Sequence, residues 1–142
     1  MQALTTDEML RLLRNADEVE GIIKDWQPQP MLPAHLKELV KLSGLTFREL
    51  IFQANLDRTY AYQILKGTRK PGRDMLLAVA FALRLNLKAT QRLLCIGGRS
   101  ALYPRVRRDA ILIFCLEHGL NYDEAEEKLE AAGEVPLFKG LG

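Results

Sequence analysis

The sequence predicts an all-α fold: a compact helical domain with an N-terminal helical arm and a C-terminal helical hairpin. Three observations carry that expectation. Apolar residues recur at three- and four-residue spacings along the chain, whereas Val, Ile and Thr nowhere alternate with polar residues over a strand length. Capping residues and glycines fall where such helices would start and stop. A composition of 48% apolar and 27% charged residues over 142 positions suits a folded globular chain with a sizeable core.

"TTDEMLRLLRNA" opens with threonine caps and early acids and places Met9, Leu10 and Leu13 on one helical face. "DEVEGIIKDW" adds a second short helix through Val19, Ile22, Ile23 and Trp26. "QPQPMLP" breaks the pattern, so residues 1–26 read as an arm and 27–33 as a linker. The central unit, 34–98, then holds "AHLKELVKLS" ending at Gly44, and "FRELIFQA" with Thr46 and Glu49 as a capping box. "RTYAYQILK" ends at Gly67, and "DMLLAVAFAL" and "KATQRLL" follow. Residues 99–142 form the C-terminal hairpin and tail.

The chain also repeats itself. Residues 73–98 align without gaps on 108–133, an offset of 35, with seven of 26 positions identical. The matches fall at a helix start (Arg73/Arg108, Asp74/Asp109), in its core face (Leu77/Leu112), and at the turn and next cap (Leu85-Asn86/Leu120-Asn121). Leu94/Leu129 on the second helix and Gly98/Gly133 at its end complete the set. Either a hairpin is used twice or two amphipathic hairpins have converged.

Net charge is +2, but its sign alternates along the chain. Residues 1–30 hold three basic against six acidic side chains, and 119–142 two against six. Residues 46–73 hold six basic against two acidic, and 99–109 four against one. The basic middle permits a polyanionic partner; a solvated charged surface is the plainer reading. Cys95 and Cys115 lie in apolar helical runs without metal-ligand spacing, which predicts buried reduced thiols and no metal. His35 and His118 accompany no nucleophile motif, and no pair of titratable groups suggests catalysis, so neither an enzyme nor a cofactor is expected. The start "MQALTTDEML" has no basic-then-apolar signal and the apolar runs are too short to span a bilayer. A cytoplasmic protein without membrane contact is the expectation.

The most specific signal begins at Leu45. Leu45-Thr46 precede a helix containing Glu49-Leu50, Asn55 suits a turn of positive φ, Ile64 is apolar near the end of the next helix, and Gly67-Thr68-Arg69-Lys70-Pro71 follow. This spacing resembles the Cro-like, phage-repressor (XRE) class of helix-turn-helix DNA-binding domains, over about Leu36 to Leu94. The resemblance implies a sequence-specific transcriptional regulator, such as a repressor, on double-stranded DNA. Its recognition helix would be about Arg58 to Lys66 in the major groove. By matched position Asp57, Arg58, Thr59, Tyr62 and Gln63 would face bases, Lys66, Arg69 and Lys70 would lie near phosphates, and Thr46 joins the set at the first helix's cap. Arg suits guanine, Gln suits adenine, and a basic loop holds register.

The chain departs from that pattern at named positions. Ile51 stands where the family commonly has a small alanine, and Ala61 where it has Ile or Val, which reads as a volume-conserving exchange. Phe47 replaces a glutamine that holds a phosphate and braces the recognition helix, and Phe is expected to do neither. Tyr60 and Tyr62 suit either DNA or a protein surface. The competing reading is therefore a protein-interaction module, an antitoxin or signalling adaptor, that grips a protein through Phe47, Tyr60 and Tyr62. Arg105, Arg107 and Arg108 oppose the dipole of the helix they begin, which points to an acidic partner: flanking DNA, the chain's own acidic ends, or another protein. A homodimer through the terminal segments is compatible with either reading.

Overall fold

The computed structural model describes residues 5–25 and 28–138, without the side chains of residues 22, 23 and 25. The apolar roles expected of Ile22, Ile23 and Trp26, linker residue 27, and the ends 1–4 and 139–142 lie outside the described residues. Within them the chain is helical and holds no strand. The helices are α1 (Thr6–Asn15), α2 (Val19–Asp25), α3 (Leu32–Ser43), α4 (Phe47–Gln53), α5 (Arg58–Lys66), α6 (Arg73–Ala82), α7 (Leu87–Ile96), α8 (Arg107–Glu117) and α9 (Tyr122–Ala131). None is long and apolar enough to cross a membrane.

One three-residue turn builds four of the helix junctions. A residue of positive φ is followed by a leucine and then by an N-cap: Gly44-Leu45-Thr46, Asn55-Leu56-Asp57, Arg84-Leu85-Asn86 and Gly119-Leu120-Asn121. Each cap oxygen accepts the third N–H of its helix, at 3.1, 2.8, 2.8 and 2.9 Å respectively. In the last three turns the leucine N–H closes back on the carbonyl of Ile51, Ala80 or Cys115, all at 3.0 Å, and Leu45 uses the Ser43 hydroxyl instead. All four leucines pack against the core. Asn55 tolerates its φ of 56° through its short polar side chain, whereas Arg84 at 59° carries a strain of about 1 kcal/mol. The Arg84 guanidinium donates to Gly119 O at 2.7 Å, which helps hold that conformation.

A continuous apolar core runs from Leu36 to Leu137. Helix α6 is its axis, buried from Leu76 to Leu83, as a helix apolar on all sides must be. It packs on α4, α7 and α9, while α3 packs on α5 and α7, α7 on α8, and α8 on α9. The linker is shorter than expected, because α3 begins at Leu32 with Pro33 in its first turn. A proline there removes only an N–H that would have no intrahelical partner. Helix α1 has its capping box from Thr5 and Glu8, yet it buries no residue.

The repeat is structural. Arg73 forks onto Asp109, with Nη1 to Oδ1 at 2.9 Å and Nη2 to Oδ2 at 2.8 Å, and Arg108 reaches Asp74 Oδ1 at 2.9 Å. Each arginine also donates to two carbonyls of its own unit, Ser100 and Ala101 for Arg73, Val135 and Pro136 for Arg108. Gln91 and Glu126, again 35 apart, accept the N–H of Leu102 and Leu137, both at 2.7 Å, and pin these buried leucines. Because α6 meets α9 and α7 meets α8, the two hairpins face each other reciprocally, as the halves of a two-fold dimer do.

That arrangement chooses among the partners open to the second arginine cluster: Arg107 meets one of the chain's own acidic ends, and Arg108 meets an acid of the central unit. Arg107 pairs with Glu134 at 2.6 Å, and Arg108 with Asp74, so both charges are met inside the chain and the dipole penalty at the start of α8 is offset locally. Arg105 stays exposed. The expected pair of buried thiols is corrected. Cys115 is fully buried, but Cys95 is exposed on α7, because Leu93 and Leu94 take that helix's inward face.

Candidate nucleic-acid interface

Helix α5 is anchored by Ala61 and Ile64, both buried, and it packs on α3. Its opposite side at the N-terminal end is open: Asp57, Arg58 and Thr59 are exposed, Tyr62 and Gln63 half-buried. Thr46 and Asp57 spend a side-chain oxygen on their helix caps, so their first effect is to fix where α4 and α5 begin. Arg58 and Thr59 are then exposed, and beside them the half-buried Gln63 has its amide oxygen engaged by Arg69.

The aromatic residues are not a separate surface. Phe47 meets Tyr62 edge to face, ring centroids 5.3 Å apart at 61°, and it packs on the core. Phe47 therefore braces α5 by packing, where a family-like glutamine would do so by a hydrogen bond; the expectation that it could not brace is corrected. Arg58 lies 6.0 Å from the Tyr62 ring centroid, and Arg69 stacks over Tyr60 at 4.6 Å. Arg69 also donates to Gln63 Oε1 at 3.4 Å.

The fold thus brings Arg58, Tyr62, Gln63 and Arg69 together. Lys66 is exposed at the end of α5. Lys70 is drawn off toward the C-terminal end of α7, where a Cβ on Gly98 would lie 2.8 Å from its Nζ. That position favours a cation, since the carbonyl ends of α7 point there.

A groove of about 780 Å³ lies between α4 and the hairpins; none of Arg58, Tyr62, Gln63 or Arg69 lines it. Ile51, Phe52 and Asn55 line one wall, Phe81, Arg84 and Tyr122 the other, with Arg48 at its edge. Burial, and then the charge of Glu126, push the Tyr122 hydroxyl up to about 12, so it stays protonated and can donate a hydrogen bond. Arg48, one of the basic residues of 46–73, and Arg84 line this groove, and neither was among the site residues expected from the sequence. The signal for Arg84 lay in the repeat, where an arginine occupies the left-handed position that its counterpart fills with Gly119. The chain matches no protein-family model, no curated protein and no solved structure, so the reading rests on its own residues and their geometry.

Proposed function

We propose that the chain is a sequence-specific DNA-binding regulator in which α5 enters the major groove of double-stranded DNA. The observation that carries this reading is the open, capped start of α5, with Arg58, Thr59 and Gln63 presented beside Arg69 in a basic surround. The guanidinium of Arg58 can fork onto guanine O6 and N7, and the Gln63 amide onto adenine N6 and N7. Arg69 and Lys66 would hold phosphates and set register. The alternative, a module that grips a protein through Phe47, Tyr60 and Tyr62, is weakened, because Phe47 and Tyr62 pack on each other and Tyr60 lies under Arg69.

Selection of bound sequences from a random duplex pool, followed by fluorescence anisotropy across a salt series, tests the proposal. Gln63→Ala should cost about 1–3 kcal/mol on the selected site and relax one base pair. Arg69→Ala should weaken binding to all sequences and flatten the salt slope by about one ion. Because Arg69 also positions Gln63, the double variant should lose less than the sum of the singles. Wild-type protein with no sequence preference at any salt would end this reading.

A further inference from the structure

We infer that the outer face of α8 is a self-association surface, on which a second copy of this chain docks antiparallel, α8 against α8. The first observation comes from the internal two-fold. Helices α6 and α8 are counterparts, yet α6 is covered by α4 and α8 has no such cover among the described residues. Positions buried on α6 are open on α8: Val79 corresponds to Phe114, Ala82 to Glu117 and Leu83 to His118, and Ala78 to the half-buried Ile113. The repeat has kept a helix-docking face at a place where this chain supplies no helix.

The second observation is the pattern on that face. Arg107, Ala110, Phe114 and Glu117 recur at three- and four-residue spacings and form one stripe, extended by the exposed Val106. Phe114 is 49% exposed although it is large and apolar, and its outward ring stacks on His118 at 4.0 Å. The stripe is self-complementary about residue 112. An antiparallel crossing centred there sets Ala110 opposite Phe114 of the second copy, small against large, and Arg107 opposite Glu117 of the second copy, positive against negative. Both contacts occur twice by symmetry, which is what a two-fold interface requires. Arg107 already bridges to Glu134, but 66% of its side-chain surface remains open for a second carboxylate. A single-sign stripe, or one with Phe opposite Phe at the same register, would not pair in this way.

An interface of about three helical turns lies at the small end of specific contacts, so the association should be weak, with a dissociation constant of roughly micromolar to sub-millimolar order. Sedimentation equilibrium of the full chain over a concentration series tests it without DNA. The expected result is a mass rising from 16.1 kDa toward twice that value. Phe114→Glu should raise the dissociation constant about 30-fold or more while the helical circular dichroism is kept, and Phe52→Glu, exposed on α4, should leave it unchanged. Glu117→Arg should weaken self-association, and Arg107→Glu in the same chain should restore it. A monomer at every concentration up to about 1 mM overturns the inference. So does a dimer indifferent to Phe114→Glu, which would place the contact elsewhere, for example on α1.

Discussion

Replacing Asp109 by alanine should unlatch the two hairpins at their best-buried joint. Asp109 is 4% exposed, and its carboxylate accepts N–H from both terminal nitrogens of Arg73 and the Tyr103 N–H at 3.0 Å. Removing one member of a buried pair costs about 3–5 kcal/mol, because the remaining charge keeps its desolvation penalty. Arg73 retains the carbonyls of Ser100 and Ala101 and leaves 24% of its side chain in water, so the low end applies, about 3 kcal/mol. The counterpart Asp74→Ala should cost less, about 2 kcal/mol, since Asp74 is 17% exposed against 6% for the Asp109 side chain. The double variant should fall short of the sum, because either loss already loosens the same joint.

Urea unfolding at neutral pH measures these costs, and acid supplies an independent check. Burial pushes the Asp109 carboxyl up, but the Arg73 hydrogen bonds, the Tyr103 N–H and the charges of Arg73 and Arg108 outweigh it and hold the carboxyl below its usual 3.8. A depressed carboxylate contributes stability that is present above the unfolded value and is lost as pH falls through the folded one. Wild type and Asp109→Asn should therefore differ at neutral pH and converge in strong acid. A cost below about 1 kcal/mol for Asp109→Ala, or curves that stay parallel into acid, would refute the latch.

Two further measurements follow from single side chains. The His35 Nε2 is buried without a hydrogen-bond partner; burial pushes its pKa down, and the Arg92 charge adds to this against Glu38. A depressed histidine leaves stability complete above the unfolded value of 6.5 and erodes it as pH falls through the folded value, so the urea midpoint should drop on mild acidification and His35→Leu should flatten that limb. Thiol labelling of native protein should modify Cys95 quickly and Cys115 only on unfolding, since Cys115 is fully buried and burial pushes its thiol up; two fast thiols would contradict the packing of α8.

Helix boundaries were legible because they depend on local chemistry. Thr46 with Glu49, Asn55 at its positive φ, Asp57, and Gly44 and Gly67 at helix ends all stand where the sequence placed them. The repeat was legible too, as identities at caps and core positions. What the repeat does was not legible, since the crossing of Arg73 to Asp109 and Arg108 to Asp74 follows from a two-fold between hairpins and from no spacing along the chain. The same gap left the acidic partner of Arg107 and Arg108 undecided between DNA, the chain's own acidic ends and another protein. Phe47 was misjudged for a related reason: the sequence shows which hydrogen bond is lost at that position, while the packing on Tyr62 that replaces it exists only once α4 and α5 cross.

The recurrent turn also bears on where function resides. Asn55-Leu56-Asp57 joins α4 to α5 with the local geometry that joins α6 to α7 and α8 to α9, so the turn alone cannot mark a DNA reader. The second helices differ in the charge they expose. Helix α9 turns Asp123, Glu124, Glu127 and Glu130 outward, with Lys128 the lone exposed cation among them. Helix α7 offers Lys88 and Arg92, and its inner side is held between α3 and α8. Helix α5 exposes Arg58 and Lys66 with Arg69 close by, and among the residues it turns outward only the capping Asp57 is acidic. On the proposed function, a DNA duplex would be repelled from α9 and attracted to α5 at distances within the Debye length, before base contacts form. If α5 reads DNA as proposed, charge-reversing α5 should abolish binding and charge-neutralising α9 should strengthen it; surface charge separates α5 from α9, whereas α7 exposes two cations and no acid, as α5 does, and charge does not separate those two.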